Sequence, residues 1–131
     1  MRFLITGGAG FIGANFVHHL LSRHKDDEVI TLDKLTYAGS QEKLADVLDH
    51  PRHKFIEGDI CDEQLMLDLL TDIDVVVNFA AESHVDRSIE GAKPFVTTNV
   101  QGTQTLLDAA LETDLDRFLQ VSTDEVYGEV L

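Results

Sequence analysis

The chain has 131 residues, 44% of them hydrophobic and 26% charged, enough for one sizeable core, since chains of this size bury about two-thirds of the surface they expose when unfolded. The formal net charge is −14 and the ten basic residues are scattered, which excludes the concentrated positive face that a nucleic-acid partner requires. No apolar stretch approaches the roughly 18 residues that cross a bilayer, and Met1-Arg2 runs straight into an apolar segment with no secretory signal, so a cytoplasmic location is expected.

The first predicted element is the apolar run Phe3-Leu4-Ile5, followed by Thr6-Gly7-Gly8-Ala9-Gly10-Phe11-Ile12-Gly13 and a helical pattern through Phe16, Val17, Leu20 and Leu21. This reads as a strand, a phosphate-binding turn and a helix. Gly7 lets the chain reverse, Gly10 lets backbone approach a pyrophosphate, and Gly13 lets the helix pack close to the sheet. Backbone N–H groups and the positive end of the helix dipole then face the anion. A glycine-rich turn can also be a mere connection. Asp33 argues for a ligand, because it lies twenty residues beyond Gly13 and directly after the strand-like Val29-Ile30-Thr31-Leu32. A carboxylate there can accept both ribose hydroxyls of an adenosine and repel a 2′-phosphate, favouring NAD over NADP.

Apolar runs predict strands over 3–6, 29–32, 54–57, 75–79 and 118–121, alternating with helices over 11–23, 41–49, 63–70 and a longer one around 95–112. The alternation predicts an α/β fold, a Rossmann-like doubly wound parallel sheet. Right-handed crossovers give the strand order 3-2-1-4-5, with a ligand crevice between the first and fourth strands. Pro51 stops the second helix, and Pro94 fits the start of the long one. The histidines, His53 among them, are scattered and read as solvated, so no metal site is expected. Cys61, the only cysteine, allows no internal disulfide and suits a place in or near the core. The acidity is either a solubility device or a fit to a high-salt interior, where carboxylate repulsion is screened.

Three strand ends carry further candidates. After the third, Gly58-Asp59-Ile60 places Asp59 where it could accept from an adenine amino group or cap the next helix. After the fourth, a run from Asn78 to Ser88 contains Phe79, Ala80, Ala81, Glu82 and Ser83. The small alanines would let backbone lie against the nicotinamide ribose and pyrophosphate; the alternative is a solvent-facing loop. After the fifth, Ser122-Thr123-Asp124-Glu125-Val126-Tyr127-Gly128 offers a hydroxyl and two carboxylates. In a shielded site one of those pKa values would be raised, leaving one group to donate a proton and the other to accept one. A turn with helix-capping acids would read the same way.

Together these blocks, with Asp33-Lys34-Leu35-Thr36-Tyr37-Ala38-Gly39 and Thr98-Asn99-Val100-Gln101-Gly102-Thr103, give a resemblance that covers essentially the whole chain. It resembles the amino-terminal part of the extended short-chain dehydrogenase/reductases, and within them the nucleoside-diphosphate-glucose 4,6-dehydratases. The resemblance implies NAD as cofactor and dTDP-glucose as substrate. Oxidation at C4, loss of water across C5 and C6, and return of hydride to C6 then give the 4-keto-6-deoxy sugar. On the matching positions, Gly7, Gly10, Phe11, Ile12 and Gly13 would hold the pyrophosphate. Asp33, Lys34, Leu35 and Thr36 would hold the adenosine ribose, and Asp59 and Ile60 the adenine. Phe79, Ala80, Ala81, Glu82, Ser83 and Thr98 would line the rest of the cofactor, with Ser83 and Thr123 touching the sugar. Asp124 would protonate the departing C6 hydroxyl and Glu125 would take the C5 proton. A homodimer through helices beside the sheet is also implied.

The family's Tyr-x-x-x-Lys pair has no counterpart, because Tyr37 is followed at that spacing by Gln41 and Tyr127 by Leu131. Residues 1–131 therefore look like an NAD-binding segment without the carboxyl-terminal substrate portion, unable to turn over alone. A related epimerase or reductase, or a non-catalytic NAD-binding module, are the alternatives; the Asp124-Glu125 pair speaks against the first.

Overall fold

The computed structural model describes residues 1–37, 39–83 and 85–129, of which 85–87 by backbone only. Ala38, His84 and Leu131, which belong to the motifs quoted above, lie outside the described residues.

Five parallel strands, β1 (Arg2–Thr6), β2 (Glu28–Asp33), β3 (His53–Glu57), β4 (Val75–Asn78) and β5 (Arg117–Gln120), form one sheet in the order β3-β2-β1-β4-β5, as the crossover rule predicts. Phe3 of β1 stands opposite Val29 of β2 on one side and Val75 of β4 on the other. Side chains alternate along each strand, so the sheet feeds two cores. Ile5, Val29, Val75 and Val77 pack with Val17, Leu20 and Leu21 of α1 (Phe11–Arg23) and with Leu44 and Val47. On the opposite face Leu4, Ile30, Leu32 and Val76 pack with Met66 and Leu70 of α2 (Glu63–Leu70) and with Leu106 and Ala109. Burial on both faces explains why these strands read as nearly continuous apolar runs.

Helix α1 has the predicted bounds, and its last turn is closed from outside. The Arg52 guanidinium donates to the carbonyls of Leu21, His24 and Asp27 at 2.8, 2.7 and 2.6 Å. The predicted helix over 41–49 is instead a 3₁₀ segment, Gln41–Val47, whose Ser40 cap accepts from the Glu42 N–H. Three residues per turn put Leu44 and Val47 on one face, and both are buried against α1 and the sheet. Helix α2 also keeps its predicted bounds, with Asp62 as its cap.

Two departures follow β4. The polar run contains a short helix, α3 (Val85–Glu90), where no helix was predicted. The long helix starts at α4 (Lys93–Phe95), with Pro94 in its first turn, and ends as α5 (Thr103–Glu112), but its middle, Val96–Gly102, is a π-helix. Gly102 seats this segment against the neck between β3 and α2: a Cβ there would lie 2.5 Å from Ile60 Cδ1. The Cys61 thiol is half-buried and reaches the Thr97 carbonyl at 3.4 Å.

His53 corrects the solvated reading of the histidines. It is buried between sheet and 3₁₀ segment, with Nδ1 2.8 Å from the Val47 carbonyl and Nε2 2.8 Å from the Thr31 hydroxyl. A hydroxyl on the neighbouring strand and a helix-end carbonyl, which also accepts the His50 N–H at 3.1 Å, satisfy both ring nitrogens of the neutral form, and burial lowers the pKa of the ring. Among the described residues no helix is long and apolar enough to cross a membrane.

Candidate functional site

Apart from Thr98, which lies in the π-helix, the predicted site residues follow the carboxyl ends of the five strands, with the strand order reversing between β1 and β4. The turn after β1 is fixed by close backbone contacts. Gly7 has φ +65°, and a Cβ on it would lie 2.6 Å from the Ala80 nitrogen, so the turn and the loop after β4 are in direct contact. Gly8, which the sequence reading passed over, lies on Thr31: its Cβ would come within 2.4 Å of that side chain. Gly13 departs from its expected role. A Cβ there would meet the Gly7 carbonyl oxygen at 2.3 Å, so the missing side chain lets α1 close on the turn itself. Helix α1 opens at Gly10 with no side-chain cap. Its first N–H groups and its dipole are thus available to an anion, flanked by the exposed side chains of Phe11 and Ile12.

Asp33 ends β2 half-buried. One carboxylate oxygen accepts the Ala9 N–H at 2.9 Å and the other the Leu35 N–H at 2.8 Å. It therefore ties the glycine turn to the loop after β2 as well as presenting a carboxylate. Each oxygen retains a lone pair, which leaves it able to accept from ribose hydroxyls. That loop puts Leu35 at φ 55° and is pinned to the turn by the Ser40 N–H on the Ala9 carbonyl.

Asp59, just past β3, does not cap a helix. One oxygen accepts the Cys61 N–H at 2.9 Å and the other is 2.6 Å from the Lys34 ammonium. Burial alone would push the Asp59 carboxyl up; the Lys34 and Cys61 contacts outweigh it and hold the group below its ordinary value. The same contact raises the Lys34 amine. Ile60 beside it is buried, while Thr36 is exposed.

Beneath the crevice lies a buried polar chain that the sequence reading missed. Thr6 and Asn78, both fully buried, are joined hydroxyl to side-chain carbonyl. The same carbonyl oxygen accepts the Ala80 N–H at 3.2 Å, and the Asn78 amide donates to Gln120 at 2.8 Å. Three strand ends are thereby cross-linked just where the loop of Phe79, Ala80, Ala81, Glu82 and Ser83 begins. The signal was present in the sequence: an asparagine ends the apolar run of β4. Asn99, also given no role, spans from the π-helix to the backbone of Glu82, accepting its N–H at 2.8 Å and donating to its carbonyl at 3.0 Å. This clamp orients the loop and fixes the segment carrying Thr98.

Thr123, Asp124 and Glu125 follow β5 as the opening of a short 3₁₀ turn, Asp124–Val126. β5 pairs with β4, and the Val121 N–H on the Asn78 carbonyl extends the pairing toward the crevice, so this turn and the loop at 79–83 are neighbours on the sheet edge. The shielding expected of the carboxylates is absent: both are exposed, and no described residue covers them. A bond from the Thr123 hydroxyl, with contributions from its own N–H and Asp124, holds Glu125 below its usual value instead of raising it. Two grooves elsewhere, about 470 Å³ along α1 and about 310 Å³ between α2 and α5, contain none of these residues.

An uncapped helix start behind a glycine turn, an acid at the end of β2 and a braced loop after β4 define a dinucleotide-binding fold of the Rossmann class. A family described as GDP-mannose 4,6 dehydratase matches residues 4–131, and the chain belongs to that family. The chain is 71% identical over 130 residues to the low-salt glycan biosynthesis protein Agl12 of Haloferax volcanii, covering 99% of this chain and 42% of that protein. It is 52% identical over 130 residues to a dTDP-glucose 4,6-dehydratase of Mycobacterium tuberculosis, covering 99% and 38%. A crystal structure of DesIV, a dTDP-glucose 4,6-dehydratase from Streptomyces venezuelae with NAD and TYD bound, superposes with a TM-score of 0.95 at 56% identity, over 100% of this chain and 42% of that one. The chain thus spans about 40% of the length of these relatives.

Proposed function

We propose that residues 1–131 form the NAD-binding segment of a sugar-nucleotide 4,6-dehydratase acting on dTDP-glucose. The observation that carries the cofactor part is the Asp33 carboxylate bonded to the Ala9 N–H, which joins the ribose-side acid to the glycine turn; the reaction and substrate are supported by the similarity to dTDP-glucose 4,6-dehydratases. Gly7, Gly10, Phe11, Ile12 and Gly13 would hold the pyrophosphate, and Asp33, Lys34, Leu35 and Thr36 the adenosine ribose. Asp59 and Ile60 would hold the adenine; Phe79, Ala80, Ala81, Glu82, Ser83 and Thr98 would line the nicotinamide half. Bound NAD supplies the hydride acceptor at C4 and the donor at C6. Oxidation at C4 makes the C5 proton acidic; Glu125 would remove it, and Asp124 would donate to the departing C6 hydroxyl. Ser83 and Thr123 would orient the sugar. The elimination needs the carboxylate pair covered, so the substrate portion of the enzyme is assigned to sequence outside these residues.

A cytoplasmic location and a homodimer belong to the same reading. The dimer is supported by Val96, Val100, Leu107 and Leu111, which stand exposed along one helical stretch.

The test uses the 131-residue chain beside a full-length enzyme carrying it. The chain is expected to bind NAD by calorimetry and, lacking the Tyr-x-x-x-Lys pair, to give no 4-keto-6-deoxy product; the full-length enzyme gives that product. Turnover by the chain alone would remove the division of labour, and a full-length enzyme that only epimerises would remove the dehydratase assignment. In the full-length enzyme, Asp124→Asn spares C4 oxidation and slows elimination by roughly 10²-fold or more, the scale of a lost general acid. Equal slowing of both steps would reject the acid role.

A further inference from the structure

We propose that Asp59 selects the dinucleotide by pairing with the Lys34 ammonium, so that the site takes a 2′-hydroxyl and does not offer that charge to a 2′-phosphate. The proposal rests on the NAD reading above. Three segments frame the adenosine end of the site, 7–13, 33–40 and 58–62, and they carry a single cation, Lys34, directly after Asp33. A lysine in that place, on a flexible four-carbon stem, is a ready partner for a phosphate. Here it is engaged by Asp59 at 2.6 Å.

The engagement is built into the fold. β2 and β3 are neighbours, with Asp33 opposite Glu57, so the residues just past the two strand ends meet side by side. Asp59 is fixed from behind by the Cys61 N–H on one oxygen, which leaves the other turned to Lys34. Asp33 is anchored on two backbone N–H groups and cannot swing to replace it without giving them up. The ribose end therefore presents two fixed carboxylates and one neutralised ammonium. A 2′-phosphate would meet the charge of Asp33 and find the one cation of these three segments paired, and capturing that cation would require breaking the pair.

The experiment compares NAD and NADP dissociation constants by titration calorimetry, at fixed ionic strength, for the wild type, Asp59→Asn, Lys34→Ala and the double variant. Asparagine keeps the oxygen that accepts from Cys61 and removes the charge that holds Lys34. Any effect on the adenine itself falls equally on both dinucleotides and cancels in the ratio. The affinity for NADP relative to NAD is expected to rise about fivefold in Asp59→Asn, the scale of one accessible charge pair. Lys34→Ala alone leaves the ratio within about twofold, because the ammonium is already paired with Asp59. In the double variant the gain disappears. A gain that persists there would come from lost negative charge alone and would overturn the proposal, as would an unchanged ratio in Asp59→Asn with NAD still bound. A wild-type protein that binds neither dinucleotide would remove the NAD reading and this proposal with it.

Discussion

Single side chains in this protein do two jobs where the sequence suggested one. Asp33 was legible as a ribose acceptor from its place after an apolar run, but its bonds to Ala9 and Leu35 were not, because they join segments whose approach depends on the fold. His53 shows the opposite failure: nothing in its neighbours distinguishes a buried ring from a solvated one, and only the pairing of β3 with β2 sets it beside Thr31. Its titration has a definite sign. Burial lowers the pKa of the folded protein below the ordinary 6.5, so on acidification the unfolded chain takes up a proton that the folded one refuses. Above that value His53 costs nothing; below it stability falls. Urea unfolding between about pH 7 and pH 5 is expected to show a steeper loss of stability for the wild type than for His53→Gln. Parallel curves would mean that the ring is protonated without penalty.

Elements followed their periodicity closely where one face is buried and less closely where other contacts decide. Helices α1 and α2 have the bounds the pattern predicted. The 3₁₀ segment and the π-helix do not differ from α-helix in composition; Leu44 with Val47, and Gly102 against Ile60, select them through packing. The glycine turn yields a prediction at this scale. In an exposed helix, alanine for glycine stabilises by about 1 kcal/mol. At Gly13 the added carbon would lie 2.3 Å from the Gly7 carbonyl oxygen, and since that contact is backbone, the turn must shift. Gly13→Ala is therefore expected to destabilise by about 1–3 kcal/mol in urea unfolding, the cost of overpacking. Gly91→Ala, where a Cβ meets nothing within 4 Å, is the control and should stay within about 0.5 kcal/mol. Equal effects at both positions would argue that the turn is loose.

Across the whole molecule the controlling quantity is charge. Twenty-four acidic residues against ten basic ones leave −14 on 131 residues, and close ion pairs such as Arg2 with Glu28 neutralise few of them. Folding crowds these carboxylates, and salt relieves the crowding as the screening length falls from about 10 Å at 0.1 M to about 3 Å at 1 M. The Tm is expected to rise over that range of potassium chloride. A flat or falling Tm would show that the acidity serves solubility without burdening the fold.

Local spacing and the handedness of one crossover were enough to set the strand order, the glycine turn and the acid at the end of β2. Asp124 and Glu125 were legible as a pair, since they are adjacent. What those groups meet follows from the folded arrangement alone: Lys34 paired with Asp59, Asn78 bridging three strand ends, Asn99 clamping Glu82, and the carboxylate pair exposed. These contacts join residues distant in sequence, and a partner's distance and burial, on which charge and hydrogen-bond strength depend, exist only once the strands are side by side.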